Sequence, residues 1–262
     1  MLEKIIRVVR EAGEMIRGVH DVSDNITEKS SHIDVVTQYD TAVQAFLYRE
    51  LLQLMPEAGF LGEEGEHGEI ATEWTFIVDP IDGTANFVRD FGHSNISVAL
   101  ARNGVSEYGV VYNPYRGELF AAQRGKGATL NGEPLKKTPD RELRDCLVEF
   151  GAGSTKQQYT ETSFAIAKEV FSHCLDLRRI CSSALAVCYV AAGRLNGYFE
   201  RSIKPWDYAA ASLVAEECGV RSLDWQGEPV QFDRASSFVT GTDKLLAFLL
   251  ETIRKYGADK EL

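Results

Sequence analysis

An apolar run that ends in two closely spaced carboxylates constrains this chain more than any other feature. The run Trp74-Thr75-Phe76-Ile77-Val78 indicates a buried strand, and Asp79-Pro80-Ile81-Asp82-Gly83-Thr84 follows it directly. Pro80 stiffens the backbone between the two acids, and Gly83 permits a sharp turn. Both carboxylates can then face one small space, where two like charges persist only if they share a proton or hold a cation between them. Hard oxygen donors favour Mg²⁺ or Mn²⁺ over zinc.

Two further acidic groups strengthen this interpretation. Glu63 and Glu64 follow a short predicted strand, and Asp207 lies in the first turn of a predicted helix that begins at Pro205. Each of the three segments also has a purely structural interpretation. The Asp-Pro-x-Asp-Gly residue types all favour turns, Glu63-Glu64 fits a solvated acidic turn, and Asp207 fits a carboxylate that stabilises a helix N-terminus.

The apolar spacing divides the chain into two kinds of structure. Amphipathic helices are predicted over 2–18 and from about 41 to 55, with a polar loop or hairpin between them. Short strands follow, which predicts an antiparallel meander: 60–61, 74–78, 95–100, 108–112, 118–122 and 128–130. From residue 146 strands alternate with helices, which predicts an α/β half after an α+β half. The predicted strands are 147–150, 175–180, 198–200, 220–223 and 238–240, and the predicted helices are 159–172, 183–192, 206–218 and 244–256.

Length and charge limit the function classes. The 262 residues allow one large domain or two fused halves, and we expect one compact unit with an N-terminal half, 1–142, and a C-terminal half, 143–262. The 28 Lys and Arg residues against 39 Asp and Glu residues give a net charge of −11, so we expect no nucleic-acid partner and no membrane partner. No apolar run is long enough to span a bilayer, and the N-terminus lacks a secretory pattern. Five cysteines without a CxxC pair agree with a cytoplasmic location.

Three blocks in this order resemble the signature of the inositol monophosphatase family, whose relatives are Mg²⁺-dependent, lithium-sensitive phosphatases. The blocks are Gly62-Glu63-Glu64, then Asp79-Pro80-Ile81-Asp82-Gly83-Thr84-Ala85-Asn86-Phe87, then Trp206-Asp207 with Glu217 and Gly219 downstream. The resemblance covers nearly the whole chain. It implies a layered α-β-α-β-α sandwich of the sugar-phosphatase type, with the meander in the N-terminal half and mixed α/β structure in the C-terminal half.

The resemblance also implies a role for particular residues. Glu63, Asp79 and the Ile81 carbonyl would hold the first of two to three Mg²⁺ ions, with Mn²⁺ as an alternative metal. Asp79, Asp82 and Asp207 would hold the second, and Glu63 a weaker third. Thr84 with Asp40 would activate a water, and Glu64 would support the metal ligands.

The remaining implied roles concern the substrate. The amides of Gly83 and Thr84 would bind phosphate, and Lys29 would lie on a loop near the metals. Glu200 with Ser183 would line the alcohol pocket.

The implied function is hydrolysis of inositol 1-phosphate or a similar small polyol phosphate by a metal-activated water, in a homodimer. Alternatives on the same scaffold are a fructose-1,6-bisphosphatase, a phosphatase for NADP or 3′-phosphoadenosine 5′-phosphate, a histidinol phosphatase, and a non-catalytic interaction protein. One stretch departs from the family pattern. Cys181-Ser182-Ser183-Ala184 stands where the family usually has Gly-[Ser/Thr]-Ala-Ala, and Ala152 stands where Ser is frequent. We expect these changes to alter the alcohol pocket and to leave the metal site untouched.

Overall fold

The computed structural model describes residues 1–20, 22, 26–31, 34–65, 73–152 and 157–260. Its α-helices are α1 (Leu2–Arg17), α2 (Gln38–Leu54), α3 (Thr84–Val88), α4 (Thr160–His173), α5 (Ser183–Ala191), α6 (Pro205–Glu217) and α7 (Asp243–Lys255). Its strands are β1 (Ile26–Ser31), β2 (Asp34–Thr37), β3 (Gly59–Gly62), β4 (Trp74–Asp82), β5 (Asn95–Arg102), β6 (Val105–Asn113), β7 (Glu118–Gln123), β8 (Gly127–Leu130), β9 (Glu133–Pro134), β10 (Leu147–Phe150), β11 (Asp176–Arg178), β12 (Gly197–Ile203), β13 (Arg221–Leu223) and β14 (Ser236–Gly241).

The first large sheet contains seven strands in the order β3 to β9. From β4 onward, consecutive strands pair in antiparallel fashion, as the meander prediction requires. β3 departs from the prediction because it pairs with β4 in parallel, with Gly62 opposite Val78. Alternating apolar residues cannot indicate strand direction, since both kinds of pairing bury the same faces. The parallel pair brings the carboxyl ends of β3 and β4 to the same edge of the sheet.

Period-two alternation gives this sheet two apolar faces. Phe76, Val78 and Val98 face α1 and α2, whereas Ile77, Ala99 and Val111 face α5 and α6. The amphipathic spacing of α1 places Ile5, Val9 and Ala12 against the first of these faces. α5 is apolar on every side because it lies between two sheets.

The second large sheet has the order β11-β10-β12-β14-β13 and mixes parallel and antiparallel pairs. Its inner face contributes Tyr198 and Phe238 to the core around α5 and α6. Its outer face packs Val148 and Phe199 against α4 and α7. The layers are therefore helices, sheet, helices, sheet, helices, which confirms the predicted α-β-α-β-α sandwich.

A glycine allows α6 to lie close to the first sheet. A Cβ atom at Gly109 of β6 would lie 2.5 Å from the carbonyl oxygen of Ala210 in α6. Ser106, also in β6, donates a hydrogen bond of 2.8 Å to the Ala209 carbonyl. This close approach holds α6, the helix that carries Asp207 in its first turn, against the first sheet.

Most predicted elements are present with ends shifted by a few residues, and the polar stretch after α1 contains the β1-β2 hairpin. Within the described ranges, no helix is long and apolar enough to cross a membrane. The proposed boundary after residue 142 lies between β9 and β10, and the two-half division stays a proposal.

Candidate active site

The ends of β3 and β4 bring the first two acidic groups together. Glu63 follows β3, and its amide donates a hydrogen bond of 3.2 Å to the Val78 carbonyl of β4. Asp79, the next residue of β4, is 1 % exposed, and its Oδ1 accepts the Ile81 amide at 3.0 Å. Burial raises the pKa of Asp79 well above its usual range, and the charges of Glu63, Asp82 and Asp207 raise it further.

Asp82 lies at the N-terminus of α5 and takes the place of a helix cap. Its Oδ2 accepts the Ala184 amide at 3.0 Å, and its Oδ1 accepts the Ser183 amide at 3.2 Å. Two side chains add donors to Oδ2: the Ser182 hydroxyl at 2.7 Å and the Asn95 amide at 2.6 Å. Burial raises the pKa of Asp82, and these four hydrogen bonds oppose that rise.

Asp207 approaches the same space from the start of α6. Its Oδ2 accepts the Lys204 amide at 2.7 Å in a capping arrangement. Burial raises the pKa of Asp207 well above its usual range, and the charges of Asp82 and Glu63 add to the effect. Four carboxylates from separate parts of the chain therefore share one electrostatic environment.

Asp40 and Thr84 form a second polar pair beside this cluster. The Thr84 hydroxyl lies 3.3 Å from Asp40 Oδ1 and 3.1 Å from the Ile81 carbonyl oxygen. Asp40 is fully buried in the first turn of α2, where Thr37 donates to its Oδ2 through the amide at 2.8 Å and the hydroxyl at 2.6 Å. Burial raises the pKa of Asp40 to about 6 despite these two donors.

Gln44 of α2 positions Glu64 through the backbone. The Gln44 side chain accepts the Glu64 amide at 2.8 Å and donates to the Glu64 carbonyl at 2.5 Å. Gly62 is needed beside this contact, since a Cβ at that position would overlap the Gln44 amide. This contact attaches the segment after β3 to α2, the helix that carries Asp40.

Gly83 begins α3 in the left-handed conformation, with φ 84°. A Cβ there would lie 3.0 Å from the His93 carbonyl oxygen and 3.2 Å from that of Cys181, so this position favours glycine on two grounds. The Gly83 carbonyl accepts the Ser94 hydroxyl at 2.9 Å. The start of α3 therefore packs against the backbone at His93 and Cys181.

A polar chain extends from α5 to β12. The hydroxyl groups of Ser183 and Tyr198 lie 2.8 Å apart, and Tyr198 donates a hydrogen bond to Glu200. Glu200 is 8 % exposed, and Gly151 leaves room for its carboxylate. The neighbouring Arg201 turns elsewhere and donates to the Ala258 and Lys260 carbonyls. The side chain of Lys29 lies outside the described residues.

The model of the inositol monophosphatase family matches residues 1–258. The chain belongs to this family. A relative from Vibrio cholerae serotype O1, named Nus factor SuhB, is 35 % identical over 262 residues, covering 98 % of this chain and 97 % of the relative.

Two solved structures illustrate the family fold. The extragenic suppressor protein suhB from Bartonella henselae superimposes with a TM-score of 0.89 at 31 % identity, covering 97 % of this chain and 98 % of the other. A protein described as IMPase/NADP phosphatase, complexed with Mg²⁺ and phosphate, gives a TM-score of 0.84 at 25 % identity, covering 96 % and 95 %.

The donor set of this family member fits Mg²⁺ by its chemistry. All four side chains are carboxylates. Burial, and then the charges of the other acids, raise the pKa values of Asp79 and Asp207, as expected where a cation offsets the charge. Within the described ranges, no three His, Cys, Asp or Glu side chains are already gathered as the ligands of one ion. Asp82 is held by its four donors and Asp207 by the Lys204 amide, so these carboxylates are directed by protein contacts.

Several residues at the site were missed by the sequence analysis. Asn95 begins the otherwise apolar strand β5, and that polar exception in a buried strand was the available signal. Glu149 and Tyr198 gave no comparable signal. The 181–184 stretch supplies three of the four donors to Asp82, through the Ser182 hydroxyl and the Ser183 and Ala184 amides. The side chains of Cys181 and Ser183 are not among these donors, so the expectation that these two departures leave the metal site untouched stays a prediction.

Proposed function

We propose that this chain is a Mg²⁺-dependent phosphomonoesterase that hydrolyses inositol 1-phosphate or a similar small polyol phosphate to an alcohol and phosphate. One observation carries the proposal: Glu63, Asp79, Asp82 and Asp207 converge from separate elements in a family of phosphatase fold. A phosphate dianion would be repelled by these carboxylates unless bound cations reverse the charge of the site.

The ligand sets come from the family resemblance, and the mutual electrostatic effects of Glu63, Asp79, Asp82 and Asp207 support them. Glu63, Asp79 and the Ile81 carbonyl would hold one Mg²⁺, and Asp79, Asp82 and Asp207 another, with Glu63 at a third. When bound, Mg²⁺ lowers the pKa of water, polarises the phosphate and offsets the charge of the leaving oxygen. Mn²⁺ offers the same hard, oxygen-preferring chemistry. Lithium sensitivity is part of the same proposal.

Thr84 and Asp40 would handle the proton of the attacking water. The Thr84 hydroxyl can accept a hydrogen bond from that water while it donates its own proton to Asp40 Oδ1, 3.3 Å away. A carboxyl with a pKa of about 6 changes its protonation near neutral pH, as a general base must. Glu64 would keep the segment after β3 in place through Gln44.

The substrate would lie between the start of α3 and the polar chain that ends at Glu200. The amides of Gly83 and Thr84 would donate to phosphate oxygens, and Lys29 would add positive charge nearby. Glu200 would accept hydrogen bonds from alcohol hydroxyls, with its orientation set by Tyr198 and Ser183.

Phosphate release from a panel of monoesters tests the proposal. The panel contains inositol 1-phosphate, fructose 1,6-bisphosphate, NADP, 3′-phosphoadenosine 5′-phosphate, histidinol phosphate and p-nitrophenyl phosphate. We expect turnover of the polyol ester with Mg²⁺, none in excess chelator, and recovery when Mg²⁺ is restored. The similarity to an IMPase/NADP phosphatase makes NADP the strongest competing substrate. Turnover that persists in chelator would exclude the metal-dependent mechanism.

The relative named Nus factor SuhB favours a second candidate function, in which the chain acts by binding a partner. An Asp79→Asn variant separates the two functions when it replaces the wild-type protein in cells that lack it. If the folded variant does not restore the wild-type phenotype, catalysis is supported; if it restores that phenotype fully, partner binding is supported. We also propose that the protein is cytoplasmic and forms a homodimer. Light scattering of the purified protein tests the homodimer directly.

A further inference from the structure

A turn with an unfavourable backbone connects β11 to α5. Cys181 in this turn has φ 59°, in the left-handed region that residues other than glycine rarely adopt. Something other than local preference must therefore hold residues 180–182 in this conformation.

Contacts on two sides hold the turn. On one side, the Asn86 side chain donates to the Ile180 carbonyl at 2.7 Å and to the Cys181 carbonyl at 3.3 Å. On the other side, Oε1 of Glu149 in β10 accepts the Ile180 amide at 2.7 Å, and the Cys181 amide also donates to this carboxylate. Glu149 is 2 % exposed, and its Oε2 has no hydrogen-bond partner among the described residues.

The residues after Cys181 in turn hold Asp82. The Ser182 hydroxyl donates to it at 2.7 Å, and the Ser183 and Ala184 amides at 3.2 and 3.0 Å. A shift of the turn therefore moves three of the four donors that direct this carboxylate. Among the described residues Glu149 and Asp82 share no hydrogen bond, so the hydrogen-bonded connection between them runs through the turn.

We propose that Glu149 is a positioning residue for the active site, which holds the left-handed Cys181 turn and thereby the orientation of Asp82. The proposal deepens the proposed function and rests on it where Mg²⁺ is concerned. Because Glu149 is buried behind the turn, it acts without touching the substrate.

Three single variants test this role. Glu149→Ala removes the acceptor, Glu149→Gln keeps an oxygen acceptor, and Val148→Ala is the matched control, since Val148 belongs to the same strand but faces the core beside α4 and α7. The readouts are the Mg²⁺ concentration for half-maximal rise in melting temperature, hydrogen exchange of the peptide around residues 179–186, and kcat with KM.

We expect Glu149→Ala to raise the Mg²⁺ midpoint about 10- to 100-fold, the usual effect of losing a residue that orients a metal ligand. Exchange in the 179–186 peptide should accelerate, while α7 stays protected. Glu149→Gln should return the midpoint to within about threefold of wild type, because the amides keep an acceptor. Val148→Ala should lower the melting temperature and leave the Mg²⁺ midpoint unchanged.

A second set of variants, made in the Cys181→Gly protein, tests whether the backbone conformation of Cys181 connects Glu149 to Asp82. Glycine adopts the left-handed conformation without penalty, so Cys181→Gly should make the turn less dependent on Glu149. In that background, Glu149→Ala should raise the midpoint by less than about a third of its effect in wild type, a coupling that a double-mutant cycle measures.

Two results would overturn the proposal. The first is that Glu149→Ala and Cys181→Gly have independent effects on the Mg²⁺ midpoint. The second is that Glu149→Ala changes KM for the ester but leaves both the Mg²⁺ midpoint and the hydrogen exchange of the 179–186 peptide unchanged. Failure of the proposed function is distinguishable, because hydrogen exchange of the turn needs neither turnover nor metal. If the wild-type protein has no phosphatase activity but hydrogen exchange of the turn still accelerates in Glu149→Ala, the proposed enzyme function is refuted and the positioning role of Glu149 is retained.

Discussion

At the scale of single residues, Asp79 is the buried carboxylate that the other acids of the site repel. It is buried, and three other carboxylates raise its pKa. Asp79→Asn removes this charge, so we expect kcat/KM with Mg²⁺ to fall by at least about a thousandfold, since the proposed function makes Asp79 a ligand shared by two metals. In chelator, the same substitution should raise the melting temperature, because the repulsion among the acids is relieved. Thermal melts and phosphate release on the same samples measure both effects.

Asp145→Asn serves as the control for this substitution, because Asp145 is exposed and distant in sequence from every acid of the cluster. It should change neither the melting temperature nor kcat/KM. An Asp79→Asn protein that keeps its activity would show that this carboxylate is not shared between metals.

Glu200 offers a second prediction at the residue scale, concerning substrate choice. Its carboxylate accepts a hydrogen bond from Tyr198. If it also accepts substrate hydroxyls, Glu200→Ala should cost about 1.5–3 kcal/mol with inositol 1-phosphate, which is roughly 10- to 150-fold in kcat/KM. p-Nitrophenyl phosphate has no hydroxyl to offer and should change by less than about threefold. Equal losses on both esters would instead assign Glu200 to support of the fold or the metal site.

At the scale of elements, local patterns predict some features well and others not at all. The spacing of Ile5, Val9 and Ala12 predicts α1 to within one residue at its C-terminal end, because one helix face meets the core. The parallel β3-β4 pair was not predictable, since direction depends on contacts between segments distant in sequence. The Cys181 turn was missed for the same reason: its conformation opposes local preference and depends on contacts from Glu149 and Asn86.

The candidate site shows the same division. The residues that carry charge, Glu63, Asp79 and Asp207, were identified from their spacing and residue types. The residues that direct them, such as Asn95 and Ser182, became visible only when the fold brought β5 and the α5 start to Asp82. Sequence motifs therefore predict which acidic residues belong to the candidate site, while the contacts that orient those residues depend on the packed structure.

The packing of α6 on β6 supports a prediction about a whole element. A Cβ at Gly109 would lie 2.5 Å from the Ala210 carbonyl oxygen and 3.2 Å from its Cα, so Gly109→Ala must push α6 away from the sheet. We expect a loss of about 1–3 kcal/mol in the free energy of unfolding, the usual cost of overpacking. The Mg²⁺ midpoint should also rise, because Asp207 lies on the same helix. Urea unfolding and Mg²⁺ titration measure the two effects.

Gly18→Ala is the matched control for the packing test. Gly18 has φ −101°, and a Cβ there meets nothing within 4 Å. The free energy of unfolding and the Mg²⁺ midpoint of the Gly18→Ala protein should stay near those of wild type. A Gly109→Ala protein that loses stability with an unchanged midpoint would show that the position of Asp207 does not depend on this contact.

At the scale of the whole molecule, the site lies where the middle helical layer begins. The first amides of α5 donate to Asp82, and α6 carries Asp207 in its first turn, so both helices of this layer point their N-termini at the acids. The two sheets enclose α5 and α6 in one continuous core. Protonation of buried acids at this junction therefore affects the stability of the entire fold.

Glu149 allows that dependence on pH to be measured. Burial raises its pKa from 4.5 to about 8, opposed by the amides of Ile180 and Cys181 and reinforced by the nearby charges of Asp82 and Glu200. Between these two values the folded protein keeps a proton that the unfolded chain has released, so the free energy of unfolding falls as pH rises. Glu149→Gln cannot titrate and lacks this contribution, whereas the other raised acids remain in both proteins.

We therefore expect the stability of Glu149→Gln relative to wild type to increase from about pH 5.5 to about pH 7.5, by at most about 2–3 kcal/mol at roughly 1.4 kcal/mol for each pH unit. Above about pH 8 the two curves should run parallel, because Glu149 is then ionised in both states of the wild type. Urea unfolding in chelator at a series of pH values measures the difference. Parallel curves over the whole range would mean that Glu149 ionises in the folded protein as readily as in the unfolded chain.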